Sequence, residues 1–434
     1  MEKSFGLVLF VLLAANGPAG AEDAAPDDFS FFQKESRVVS ASMRPSTPDL
    51  APATVYVVTS ADIHESGAQT LWDVLRSVPG VDVMSERTSQ GDVSIRGLNQ
   101  SLNNRTLVLL DGKTVLNGLY DFTDWEAVPV PLEEIDRIEV VEGPSSALYG
   151  ANAVSGVINI ITKTPEQLKG GLVSYTGGER STQMGTALIG DRTGARAYKL
   201  DLGWRSTDMF SDASRQASGV GKAHGLWSID LPEDAKWSVS GGAAKKNISI
   251  NDGPITFDDG ESGFLRTDLK RRGTSARFFW NWEQTRFRDY PIIPIHFKYD
   301  TYDFDLGQTV DLPFDNSLTG GASWRRNTAS SDIFAPGVRQ QDLYAAYFEN
   351  GWKPVDELNV VLSGRADHHP LAGWSLSPRG SVIYAPVPDH TFRLTASSAF
   401  RNPTLYEDYV TLVEDIPINA PPFTAVHIDF PPNP

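Results

Sequence analysis

The chain contains no cysteine in 434 residues. This excludes a disulfide scaffold and any thiolate metal site, and it suits a protein that crosses an oxidising compartment. Histidine is scarce. The one adjacent pair, His368-His369, points to opposite faces if it lies on a strand. His64, His224, His296, His390 and His427 stand apart with no metal-ligand spacing. No metal site and no cofactor is expected. Asp258-Asp259-Gly260-Glu261 reads as a turn, because the acid spacing of a calcium loop is missing. No Ser-His-Asp set or carboxylate pair stands out, so no enzymatic activity is expected. Positive charge is in deficit, with 38 Lys+Arg against 55 Asp+Glu and a net charge of -17, which excludes nucleic acid as a partner. Beyond the N-terminal segment no apolar run approaches the length of a membrane helix.

Aromatic residues and glycine are plentiful, with 10 Trp, 13 Tyr, 21 Phe and 37 Gly. With few long apolar runs, this composition predicts many short strands, and the length predicts more than one domain. The N-terminus has the form of a secretory signal peptide over residues 1–21. Phe5 to Ala15 is an apolar run too short to span a membrane, and Ala19-Gly20-Ala21 offers a cleavage site. Residues 22–51 read as a flexible segment, acidic and Pro/Ala-rich at its start.

The chain is organised around Ile135 to Lys163. Ile138-Glu139-Val140-Val141 predicts a strand, Gly143-Pro144 a turn, and Val157 to Ile161 a second strand. Gly150 and Gly156 mark places where the backbone turns or approaches another surface closely. A phosphate loop is excluded, because Ala151-Asn152 follow Gly150 where Lys-Ser/Thr would be needed. The whole stretch resembles the end of the plug domain of TonB-dependent outer-membrane receptors. Ile138-Glu139-Val140, Gly143-Pro144, Ala147-Leu148-Tyr149-Gly150 and Gly156 through Lys163 carry the likeness. Ser94 to Leu98 and Leu109 to Gly112 extend it over a plug of residues 52–165. One departure is Glu142, where the family often has a basic residue.

The resemblance implies a mixed α/β plug domain followed by an antiparallel transmembrane β-barrel. It implies structural roles within the plug for Arg96, Gly97, Gly143, Pro144, Tyr149, Gly150, Gly156 and Asn159, with Arg96 paired to the barrel wall. It implies that Arg37-Val38-Val39-Ser40-Ala41, within residues 36–42, resembles a TonB box. Such a segment would offer its backbone to an edge strand of the periplasmic energy-transducing protein TonB. Three polar or aromatic plug loops would touch ligand through Arg87, Gln90, Asn99, Asn103, Asn104, Tyr120, Asp121, Phe122 and Trp125. Tyr120 to Trp125 ranks first, since clustered exposed aromatics need a reason.

From about Gly170 the sequence alternates with period two. Tyr198, Leu200, Leu202 and Trp204 share one face, while Lys199, Asp201, Gly203 and Arg205 share the other. A soluble sandwich would alternate likewise. The export signal, the charged polar faces and the Trp/Tyr near strand ends favour a membrane barrel over residues 168–434, in contact with outer-membrane lipid. Gly190-Asp191 and Asp315-Asn316 are expected turns, and 251–262 and 330–340 are expected loops. About thirteen or fourteen strands can be counted, against about 22 in plugged transporters, and a truncated barrel is expected. The expected function is TonB-dependent import of a metal chelate, a ferric siderophore or a relative such as cobalamin or haem. A passive channel with a static plug and a non-functional fragment remain as alternatives.

Overall fold

Two β-branched runs, Ile135–Glu142 and Gly156–Thr162, form the central pair of the first sheet, because each buries residues on both faces. The computed structural model describes residues 37–430 except 88–89, 101–102, 117, 119–120, 209–215, 250–256, 289–294, 332–338, 388–389, 410–411 and 417–425. The expected signal peptide lies outside the described residues. The plug runs β1 (Thr54–Thr59), α1 (Ser60–Glu65), α2 (Leu71–Val74), β2 (Val81–Arg87), β3 (Gln90–Ile95), β4 (Thr106–Leu110), β5 (Lys113–Thr114), β6 (Ile135–Glu142), α3 (Ser146–Tyr149) and β7 (Gly156–Thr162). Its five-stranded sheet has the order β1-β6-β7-β4-β5, with only β4–β7 parallel.

Both faces of this sheet are covered. Ile138, Val140, Ile158, Ile160, Val108 and Leu110 pack on one side with Trp72, Leu75 and Ile95. Val141, Val157, Leu107 and Leu109 pack on the other with Val38 and Ala41 of the N-terminal segment. Thr59 caps α1 with a reciprocal Asp62 bond, and Thr70 caps α2 through the Asp73 amide. The polar residues 85–87 and 90–92 belong to the β2–β3 hairpin.

A thirteen-stranded antiparallel sheet follows in chain order. Its strands are β8 (Leu172–Gly178), β9 (Thr182–Thr193), β10 (Arg196–Asp208), β11 (Gln216–Leu231), β12 (Ala235–Ser249), β13 (Phe257–Arg271) and β14 (Thr274–Arg288). They continue as β15 (Ile295–Leu312), β16 (Asn316–Ser331), β17 (Arg339–Val355), β18 (Leu358–His369), β19 (Gly373–Val387) and β20 (His390–Ser397). β8 and β20 are its edges, so the described strands do not close a ring. The expected alternation holds along β10: Leu200 and Leu202 are about half exposed on the outer face, while Lys199 and Asp201 are buried. An outer band of Leu, Val, Trp and Tyr suits lipid and would be a liability in water.

Two expectations about connections fail. Gly190-Asp191 lies inside β9, and the chain turns after it, at Gly194 with φ +59°. From Phe257 onward the expected loop is strand β13, which takes Asp258-Asp259-Gly260-Glu261 into the ladder with β12 and β14. Short links join the strands after β9, β11, β13, β15 and β17, at what we call the turn end. The intervals after β10, β12, β14 and β16, at the loop end, are longer.

Gly156 marks the closest approach in the plug. A Cβ there would stand 2.3 Å from the Val141 carbonyl oxygen and 2.7 Å from Ile95 Cδ1. Gly156→Ala should therefore destabilise the protein by about 1–3 kcal/mol through overpacking. A denaturant titration of the detergent-solubilised chain checks this, and an unchanged midpoint would show that the strand pair can yield.

Candidate ligand cavity and the latched N-terminal segment

At the loop end, plug and barrel enclose a polar cavity of about 120 Å³. The plug supplies Asp121 and the Tyr149-Gly150-Ala151-Asn152 turn after α3. The barrel supplies Tyr299, Thr301 and Asp303 of β15, Ser323, Arg325 and Asn327 of β16, Gln341 of β17, and Arg365, Asp367 and His369 of β18. Their two-residue spacing puts each set on the inner face. The wall arginines are paired at once: Arg325 Nε lies 2.8 Å from Asp303 Oδ2, and Arg365 Nε lies 2.9 Å from Asp367 Oδ1. Gly150, with φ +78°, lets the plug approach that wall, because a Cβ there would meet the Arg365 guanidinium at 3.0 Å. His369 faces the cavity, while His368 packs edge-on against Trp374. The adjacent histidines do point apart.

Asn152 donates from Nδ2 to Asp121 Oδ2 at 3.2 Å, and its backbone N–H donates to the Phe400 carbonyl. Burial pushes the Asp121 carboxyl up to about 6, partly countered by the Asn152 hydrogen bond and the charge of Arg325. Nearby Lys113 of β5, which the sequence did not single out, sits 4.3 Å from the Phe264 ring centre and donates to Asn281. Burial, reinforced by Arg266, pushes its ammonium down to about 7.

Toward the turn end the N-terminal segment is held by side chains of the plug sheet. Glu139 is fully buried on the same face as Val141. Its Oε2 accepts from Val39 N at 2.9 Å, Ser40 N at 2.9 Å and Ser40 Oγ at 2.6 Å. Arg137 pairs with its other oxygen at 2.9 Å. Asn159, opposite Glu139 in the β6–β7 ladder, donates to Ser40 Oγ at 2.9 Å. Tyr149 donates its hydroxyl to the Ser40 carbonyl at 3.0 Å, and Arg379 of β19 donates to the Ala41 carbonyl at 3.0 Å. Val38 bridges to Ser46 through two backbone hydrogen bonds, and Val38, Ser40 and Ala41 are buried. Hydrogen bonds to a charged acceptor contribute roughly 1.5–3 kcal/mol each, so Glu139 is the main fastening.

A second plug–barrel contact centres on Glu134. Lys199 Nζ lies 2.7 Å and His224 Nδ1 2.8 Å from Glu134 Oε1, and Asp201 Oδ2 lies 3.1 Å from His224. Glu134, Asp201 and His224 offer ligand atoms within 4.8 Å of one another. Tertiary structure thus assembles a group that chain spacing did not reveal, and the Lys199 ammonium already occupies Glu134.

Of the residues expected to touch ligand, Asp121 lines the cavity. Trp125 does not: it opens a 3-10 turn capped by Asp124 and is buried in the plug core with Val128 and Val130. Asn103 is buried, donating to the Val93 carbonyl and to Thr106; Asn104 is buried too. Asn99 accepts from Ser94, and Phe122 is half-buried. Tyr120 lies outside the described residues, as do the side chains of Arg87 and Gln90, whose backbone belongs to the β2–β3 hairpin. Arg96 does not reach the barrel wall as expected. It pairs with Glu142 of the plug at 3.0 Å, the residue that stands where relatives are often basic. Gly97 and Gly143 adopt positive φ, whereas Pro144 is exposed beside them.

A family model for the TonB-dependent receptor plug domain matches residues 48–157, and one for the TonB-dependent receptor-like β-barrel matches 162–430. An iron-regulated outer membrane virulence protein of Vibrio cholerae is 26% identical, over 93% of this chain and 64% of its own length. The vitamin B12 transporter BtuB of Vibrio vulnificus is 27% identical, over 82% of this chain and 61% of its own. The chain thus spans less than two thirds of the length of these relatives. The solved siderophore receptor PirA of Pseudomonas aeruginosa has the same fold, with a TM-score of 0.63 and 23% identity over 82% of this chain and 66% of that one.

Two outcomes follow. Glu139→Gln should loosen the N-terminal segment, read as faster thiol labelling of a Val39→Cys probe in this cysteine-free chain; equal labelling rates would mean that Glu139 does not hold it. For Asp121, the native carboxyl keeps a proton that the unfolded chain releases as pH rises from 3.8 through about 6. Its contribution to stability is therefore present below that window and lost above it. Asp121→Asn should raise Tm relative to the parent above pH 6 and lose this advantage below pH 4.

Proposed function

The chain belongs to the TonB-dependent receptor family, and on that premise we propose that it serves active import of a metal chelate across an outer membrane. The ligand is a ferric siderophore or a related complex such as cobalamin or haem. The loop end faces the exterior and the turn end the periplasm, in keeping with the short periplasmic turns and longer outer loops of such barrels.

One observation carries this reading: Tyr149 touches both the cavity and the N-terminal segment. Its ring lines the loop-end cavity, and its hydroxyl holds the Ser40 carbonyl of the N-terminal segment. A ligand seated against Tyr149-Gly150 gains contacts only in states that fit it, so it shifts the balance between latched and released segment. Release breaks the bonds from Val39 N, Ser40 N and Ser40 Oγ to Glu139. It leaves an extended Arg37-Val38-Val39-Ser40-Ala41 whose backbone can pair with an edge strand of TonB. Latched, those same groups are satisfied by the plug, which keeps TonB from pulling on an empty receptor. Tension on the released segment is then applied to the plug sheet through β1, which follows it in the chain.

Deleting residues 37–41 from the chromosomal gene separates binding from transport. Ligand binding at the cell surface should persist while energy-dependent uptake falls to background. Uptake at the parental rate would overturn the coupling and favour a passive channel.

A further inference from the structure

We propose that the loop-end cavity accepts a neutral or cationic chelate that turns N–H or O–H donors toward the plug, and rejects a polyanionic one. The inference rests on the import reading above and narrows its ligand. The cavity wall carries two guanidinium groups, and neither is free. Arg325 is held by Asp303 and Arg365 by Asp367. Arg401, beside the Asn402-Pro403 rim, is held in a two-point pair by Glu407. An anionic ligand could recruit these arginines only by stripping them from their carboxylates. That exchange would leave the buried Asp303 or the half-buried Asp367 unpaired, which is strongly unfavourable.

The plug side has the opposite character. Asp121 is bonded by the Asn152 amide and by no cation among the described residues. Asn152 is 5% exposed, lines the cavity, and its Oδ1 has no hydrogen-bond partner. The surface presented to the ligand is therefore a carboxylate beside an unanswered carbonyl, two acceptors that ask for donors. Fully charged, Asp121, Asp303 and Asp367 outnumber Arg325 and Arg365. Repulsion and unpaired groups thus discriminate against negative ligands, the usual physical route to specificity.

Among ferric chelates this divides two classes by proton count. Three hydroxamates each release one proton to solvent on binding Fe³⁺ and form a neutral complex. Three catecholates each give up two and form a triply negative one. The test is a fluorescence-quench titration of the purified full chain in detergent with ferrichrome, a neutral tris-hydroxamate, and with ferric enterobactin, a tris-catecholate. Ferrichrome should bind at least about 10-fold more tightly at low ionic strength. The gap should narrow in Asp121→Asn, where Asn keeps the positive φ tolerated by this residue type. It should also narrow in Asp303→Asn, which frees Arg325. Ferric enterobactin binding as tightly as ferrichrome, or neither probe binding, would overturn the proposal. Binding in detergent needs no TonB. Tight catecholate binding would therefore leave the import reading standing, while undiminished uptake without residues 37–41 would remove that reading and leave the charge preference intact.

Discussion

Glu139 is a carboxylate with no exposed surface in the middle of the plug sheet, opposite Asn159. Such a group is tolerable only when its lone pairs are filled. Arg137 fills one oxygen, and the two amides and one hydroxyl of Val39-Ser40 fill the other. The dependence runs both ways. Without the segment the carboxylate would face the space left by Val38 and Ala41, and without the carboxylate the segment would lose its strongest acceptor. Folding the plug therefore fixes where the N-terminal segment rests, and undoing that contact requires some new source of free energy. Tyr149 links that contact to the cavity, which it lines while its hydroxyl bonds the Ser40 carbonyl.

The barrel strands solve a different problem. Their outer face meets lipid and their inner face meets the plug, so each strand must alternate between apolar and polar chemistry. The inner groups are satisfied by specific partners. Lys199 reaches Glu134, Thr162 and the Lys163 carbonyl, and Arg205 pairs with Glu126. These contacts fasten the plug's later segments, while residues 39–41 hang on Glu139, Tyr149, Asn159 and Arg379, and residues 43–52 are tied to the barrel through Glu349, Asp311, Arg393 and Thr395.

The candidate site was only partly legible beforehand. Trp125 looked like a loop aromatic because polar residues surround it in sequence, but the capped turn at Asp124 swings its ring into the core. Asn103 looked like a ligand contact and instead closes the backbone of β3. By contrast, Tyr149 and Asn159 were read as structural members of a motif, yet their hydroxyl and amide are what grip Ser40. The cavity wall from β15 to β18 comes from segments far apart in the chain. Its only trace in the sequence is the charged inward phase of each alternation, as at Asp303, Arg325, Arg365 and Asp367.

Much of the element order is legible from neighbouring residues: strand–turn–strand at Ile135 to Lys163, then two-faced strands with an apolar outside. Those features are local, set by β-branching, glycine and side-chain period, and neighbouring residues suffice to specify them. Only the tertiary structure decided which polar residues meet. Glu139 and Ser40, Glu134 and Lys199, and Tyr149 and the barrel wall are brought together by sheet register and by seating the plug against the strands. Pairings of that kind depend on the whole fold, because each is fixed by where two distant backbones finally lie.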